Sequence, residues 1–233
     1  MKKNELTAEQ KKADIDLWIL FLITFAVYGI YAAFSAPLTA YVKDSAISVI
    51  PRLLVNAAVQ FGIAGLGMSV VCLIRREPFS KFGLTNKNML TSILLTILCF
   101  TPYIISVFAF GKFEGYKPLS IFVTDDILAS SVPVAVLGMA LIAVVWGFFE
   151  GFNYAVICDK INARYPSKRT WLDYGALVCA VVCLLMHSMS FSLAGIVEMI
   201  TTFIAIYGML LVKKKTGCAW GCVFAFCFIW NAL

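Results

Sequence analysis

From Leu17 to Pro37 the chain runs without a single charged side chain. A helix needs about 20 mostly apolar residues to cross the hydrocarbon of a bilayer, and in lipid only a helix or a closed barrel satisfies its own backbone. Comparable stretches recur at about 48–73, 89–110, 131–157, 172–189, 192–212 and 218–233. The pattern predicts an all-α, polytopic membrane helical bundle of about seven transmembrane helices, with Pro102 expected to kink the third. Composition closes off the soluble alternative. The chain is 61% hydrophobic and 14% charged, where soluble domains average roughly 45–50% and 25%.

Charge placement orients the bundle. Lys2, Lys3, Lys11 and Lys12 precede the first stretch; Arg75, Arg76, Lys81 and Lys87 follow the second; Lys160, Arg164, Lys168 and Arg169 follow the fourth; Lys213, Lys214 and Lys215 follow the sixth. The intervening connections are poorer in cations or mix both signs. By the positive-inside rule the N-terminus is cytoplasmic. Residues 1–16 read as a cytoplasmic segment and 17–233 as one transmembrane domain, with the chemistry-bearing core at about 131–233. The N-terminal segment carries no small-residue cleavage site, so the first stretch is expected to remain as an anchor in the cell membrane. The net charge of +6 reflects these flanks and implies no nucleic-acid partner; the bilayer is the expected surround. Eight cysteines, at 72, 99, 158, 179, 183, 218, 222 and 227, form no CxxC pair and sit mostly in apolar runs. They read as reduced packing residues. Arg52 and Asp173 lie near the ends of apolar stretches, where they are expected to reach the interface. Glu198 reads as an acid hydrogen-bonding across a helix interface.

Glu150 stands in WGFFEGFNYAVI (146–157), and the nearest charge before it is Asp126. An acid at mid-span costs roughly 2.5–3.5 kcal/mol on insertion scales and usually faces the bundle interior or a water-filled cavity. Helical geometry puts Trp146, Gly147, Asn153 and Tyr154 on its face. Ala143, Gly147, Gly151 and Ala155 form a ridge of small residues over which another helix can approach. Glu150 reads either as a carboxylic acid hydrogen-bonding a neighbouring helix or as a functional acid. The single histidine, His187, reads either as a neutral core imidazole or as the partner of Glu150 in activating water. Asn231 can donate to a developing oxyanion or simply bond another helix. One His, one Glu and at best Cys227 fall short of the three protein ligands of a catalytic zinc, so no metal or other cofactor is expected. Counted from the flanking cations, Glu150 lies ~15 Å deep, and His187 and Asn231 ~24–27 Å, a spread that argues against one shared site.

These segments, in order, resemble those of the CPBP family of intramembrane proteases, the CAAX-processing and bacteriocin-processing group. The family pattern is EExxxR, then FxxxH, then HxxxN or HxxxD. WGFFEGFNY stands in the first slot, CLLMH (183–187) in the second and CFIWN (227–231) in the third. KTGCAWGCVFAFCFIWN resembles the last helix of the family, and REPFSKFGLTNKN (76–88) its amphipathic lead into a helix. The likeness is best over about the last ninety residues. It implies an intramembrane endopeptidase in which Glu150 and His187 activate water and Asn231 orients or stabilises; Asn153 and Tyr154, on the face of Glu150, and Cys227 are the candidate supporting residues. The substrate would be a membrane-associated peptide or protein. The chain departs from the pattern by having one Glu. Either Phe149 replaces the first Glu and Tyr154 the Arg, or Gly151 replaces the second Glu and Ala155 the Arg. Cys183 replaces the Phe and Cys227 the second His. These departures favour the alternative, a catalytically inactive pseudoprotease that binds membrane peptides or partners, or confers immunity.

Overall fold

The computed structural model describes residues 6–169, 171–186 and 190–233. Among them every regular element is helical: α1 (Ala8–Ala33), α2 (Ser35–Lys43), α3 (Val49–Arg75), α4 (Met89–Ala109), α5 (Thr124–Leu128), α6 (Val132–Arg164), α7 (Tyr174–Met186), α8 (Leu193–Thr216) and α9 (Trp220–Trp230). Five of these, α1, α3, α4, α6 and α8, are long and apolar enough to cross a membrane. That is fewer than the seven expected from the sequence. Helix α9 has fewer residues than a span requires, because Gly217 caps α8 in the left-handed region (φ 68°) and the chain turns before Trp220. Helix α7 covers 174–186, and residues 187–189 of that stretch lie outside the described residues.

Local chemistry sets the ends. Helix α1 starts inside the polar N-terminal segment, where Thr7 and Gln10 form a reciprocal capping box. Helix α4 continues through Pro102, although proline cannot donate to the preceding turn. Large apolar side chains point outward from the long helices: Trp18 is 62% exposed, Leu98 65%, Leu137 71% and Leu193 73%. In water such faces would associate; against lipid tails they carry no penalty. The fold is compatible with a multi-pass membrane protein.

Helix α9 sits at the centre of the main core. Ala225 and Phe226 are fully buried, among Phe100 of α4, Phe152 of α6 and Met209 of α8. Small residues let it in. A Cβ on Gly221 would stand 2.7 Å from the Ser92 carbonyl of α4, and one on Gly151 would stand 2.6 Å from the Cys222 carbonyl. The small-residue ridge of α6 therefore receives α9. A second core joins α3, α5 and α6 through Leu53, Ile127, Ile142 and Trp146. All eight cysteines are free thiols.

The four basic segments gather at one end of the bundle. Asp16 accepts from Arg75 Nε at 2.6 Å and from Lys160 Nζ at 2.7 Å. Lys160 also donates to Glu77 at 2.6 Å, as does Lys81. Burial pushes the Glu77 carboxyl up, but the hydrogen bonds from Lys160 and Lys81 outweigh it and hold Glu77 below the usual carboxylate range. Arg164 pairs with Asp14, and Lys213 with Asp159. Arg52 and Asp173 do not reach outward as the sequence suggested; both are buried. Arg52 pairs with Asp126 at 2.8 Å and donates to the Val42 carbonyl. Asp173 accepts from Lys214, Asn162 and the Ala176 amide. A buried charge that finds partners loses less than one that must drag the helix end toward water. Glu198 pairs with Lys112 at 2.5 Å, in the α4–α5 connection and half exposed, rather than across a helix interface.

Candidate functional site

Three helices at the middle of the bundle each contain a π-helical segment: Gly62–Leu66 in α3, Ala143–Phe149 in α6 and Phe226–Trp230 in α9. The α6 segment touches the other two. Phe149 packs edge-on against Phe61 with ring centroids 4.9 Å apart, and the Cys227 thiol fills the space a side chain at Gly147 would take. A π segment adds a residue to a turn, which rotates the downstream part of the helix by about 100° relative to a regular one. Glu150 is the first residue after the α6 segment, and Asn231 the first after that of α9.

These side chains open onto one cavity of about 680 Å³. Glu150, Asn153, Tyr154 and Trp146 line it from α6, Asn56 and Gln60 from α3, and Asn231 from the end of α9. Gln60 Nε2 donates to Glu150 Oε2 at 2.7 Å. Among the described residues Glu150 is the only carboxylate in the lining, and no Lys or Arg faces it there. The side chain of Asn231 donates to the Phe226 carbonyl at 3.4 Å, and its own carbonyl accepts from Ser120 N at 2.8 Å. That backbone bond, with Lys117 N to the Ala232 carbonyl at 3.0 Å, ties the α4–α5 connection across the end of the cavity, where Ser120, Ile121 and Phe122 close it. Tyr154 stacks on Phe226 with centroids 5.3 Å apart.

A second, apolar groove of about 390 Å³ runs between α1 and the α6–α7 pair, past Leu17, Phe21 and Val178. It shares Thr24, Phe25, Tyr154, Ile157 and Val182 with the cavity, so the two spaces adjoin.

The structure thus brings Glu150, Asn153, Tyr154 and Asn231 to one space. Cys227 packs against Gly147 and is absent from the described lining. His187 lies outside the described residues. The depth count separated Glu150 from Asn231 for two reasons. Lys160 is buried within the charged end rather than at its outer edge, and α9 begins at Trp220, five residues past Lys215. Sequence reasoning missed Asn56 and Gln60, although two amides one turn apart in an apolar span share a face. Among the described residues no group of three His, Cys, Asp or Glu side chains could hold a metal.

The fold and cavity define a class: helical, with several helices able to cross a membrane around a chamber whose largely apolar wall carries Glu150 and the amides of Asn56, Gln60, Asn153 and Asn231. No protein-family model, curated protein or solved structure matches the chain.

Proposed function

We propose that the chain is a multi-pass membrane protein with a cytoplasmic N-terminus that cleaves a membrane-associated peptide within the bundle, as the motifs it resembles imply. The observation that carries the reading is Glu150 in a chamber lined by amides. In the proposed reaction Glu150 takes a proton from water as the water attacks the scissile carbonyl. His187 is its partner in handling that proton, as the resemblance implies. The Asn231 amide donates to the oxyanion, a role typically worth 10²–10³ in kcat, about 2.7–4 kcal/mol. Asn56 and Asn153 offer amides to the substrate backbone.

The test is cleavage of membrane-tethered peptides by the reconstituted protein, followed by mass spectrometry. Glu150→Gln and His187→Ala should abolish cleavage while helicity and elution volume stay unchanged. Full cleavage by Glu150→Gln overturns the reading. One observation favours a second reading, in which the chamber binds peptides without cutting them: Gln60 already engages the carboxylate at 2.7 Å. That reading expects no cleavage by the wild type and a co-purifying partner lost on Asn153→Leu.

A further inference from the structure

We propose that the cavity binds an organic cation with an apolar tail, its ammonium group at Glu150 and its chain in the groove between α1 and α7. This goes beyond the peptidase reading and does not depend on it. The first ground is charge. An acid at this depth ionises only where an opposite charge accompanies it, and among the described residues the hydrogen bond donated to Glu150 comes from a neutral amide, Gln60. The second ground is the wall. Phe25, Tyr28, Tyr31, Trp146 and Tyr154 surround the same space. Aromatic faces around a carboxylate are the chemistry that recognises alkylammonium groups. Phe122 at the rim already holds an ammonium of this chain, that of Lys43, 4.7 Å from its ring centre. The third ground is the way in. The adjoining groove starts at Tyr165, beside the charged end, and meets the cavity at their shared residue Tyr154. Those positions are about 16 Å apart along α6, the length of a chain on the order of a dozen methylenes. Trp18, Phe21 and Val178 on its edges are exposed on the outer face, so a tail can enter from the bilayer sideways. Groove and lipid are both apolar, so selectivity comes from the head group and the tail serves to deliver it.

The experiment is a titration of the full chain in zwitterionic nanodiscs, read by tryptophan fluorescence, with dodecyltrimethylammonium as probe. Dodecyl maltoside is the neutral control of equal chain length, and tetramethylammonium the head group alone. The wild type should bind the cationic amphiphile about 30-fold more tightly than the neutral one, the factor a desolvated cation–π contact of about 2 kcal/mol supplies. Glu150→Gln should lose at least about tenfold, and Tyr28→Leu, which keeps the carboxylate, several-fold. Val178→Trp, which fills the groove alone, should weaken the long-chain cation and leave tetramethylammonium unchanged. Equal binding of the charged and neutral amphiphiles, or equal binding by wild type and folded Glu150→Gln, overturns the proposal. Unchanged long-chain binding by Val178→Trp overturns the groove as the path of the tail. Binding is read without any cleavage step, so a failed peptidase assay leaves this result standing. If both readings hold, the amphiphile also inhibits cleavage by occupying the base.

Discussion

Replacing Gly151 by alanine tests whether α6 and α9 meet as closely as the central site requires. The added Cβ would stand 2.6 Å from the Cys222 carbonyl oxygen and 3.0 Å from Val223 Cα. It falls about 0.8 Å short of ordinary contact against backbone, which has no rotamer to change, so one helix must move. Overpacking of this kind typically costs 1–3 kcal/mol, and a backbone neighbour puts it near about 3 kcal/mol. For a chain of this length that lowers the unfolding midpoint by on the order of 5–10 °C. Gly147→Ala is the internal comparison, because the side chain it meets belongs to Cys227. A Cys227→Ala substitution should restore much of what Gly147→Ala loses, and it should restore nothing for Gly151→Ala. The assay is thermal unfolding in one detergent, followed by circular dichroism. If Gly151→Ala melts within about 1 °C of the wild type, the close approach is wrong, and with it the placement of Asn231 and Glu150 on the wall of one cavity.

Asp16→Asn should destabilise by about 3 kcal/mol, since it strips one carboxylate from both Arg75 and Lys160 inside the bundle; chemical denaturation with an unchanged m-value checks it. Glu77 has a folded pKa below its ordinary value. Its contribution is therefore complete above about pH 4.3, the unfolded value, and is lost as pH falls through the lower folded value. Glu77→Gln should flatten the acid limb of a melting-temperature profile, and an unaltered limb would assign that loss to other groups. Gln60→Leu should cost about 1.5–3 kcal/mol by leaving Glu150 without its donor, while the double variant Gln60→Leu/Glu150→Leu should return most of it, because both partners are then apolar. Additive losses in that double-mutant cycle would refute the coupling.

The helical class was legible because lipid allows so few alternatives: apolar stretches near 20 residues long, flanked by cations, leave little else to build. The count of long helices was less legible. The run 218–233 looks like a span by hydropathy, yet Gly217 turns the chain and α9 starts late and ends in a π segment. The ridge Gly147–Gly151 announced a close neighbour, and the structure supplies α9 there. Arg52 and Asp173 misled because their partners, Asp126 and Lys214, come from segments distant in sequence. The cavity was half visible. Glu150, Asn153 and Tyr154 follow from one helical face, whereas Gln60 and Asn56 required knowing that α3 crosses at that level. No residue type marks a π segment, so the rotation that sets Glu150 against Gln60 was hidden.

The energetics of Glu150 separate the needs of the fold from those of function. Placing an acid at this depth costs roughly 2.5–3.5 kcal/mol, and a hydrogen bond to a charged group returns about 1.5–3 kcal/mol. Gln60, the donor to Glu150 among the described residues, therefore offsets most of the cost, and stability alone can hold the acid. It does not account for a chamber of about 680 Å³ around it. A structural acid is best served by a close-packed partner and no open space, as Asp16 is at the charged end, where it is 2% exposed and doubly paired. Among the described residues Glu150 instead has one amide partner and faces an open chamber with Asn56, Asn153 and Asn231. Leaving those amides at an open wall forfeits the apolar packing that neighbouring helices could supply. A ligand with polar or cationic groups is the occupant that makes such a wall favourable.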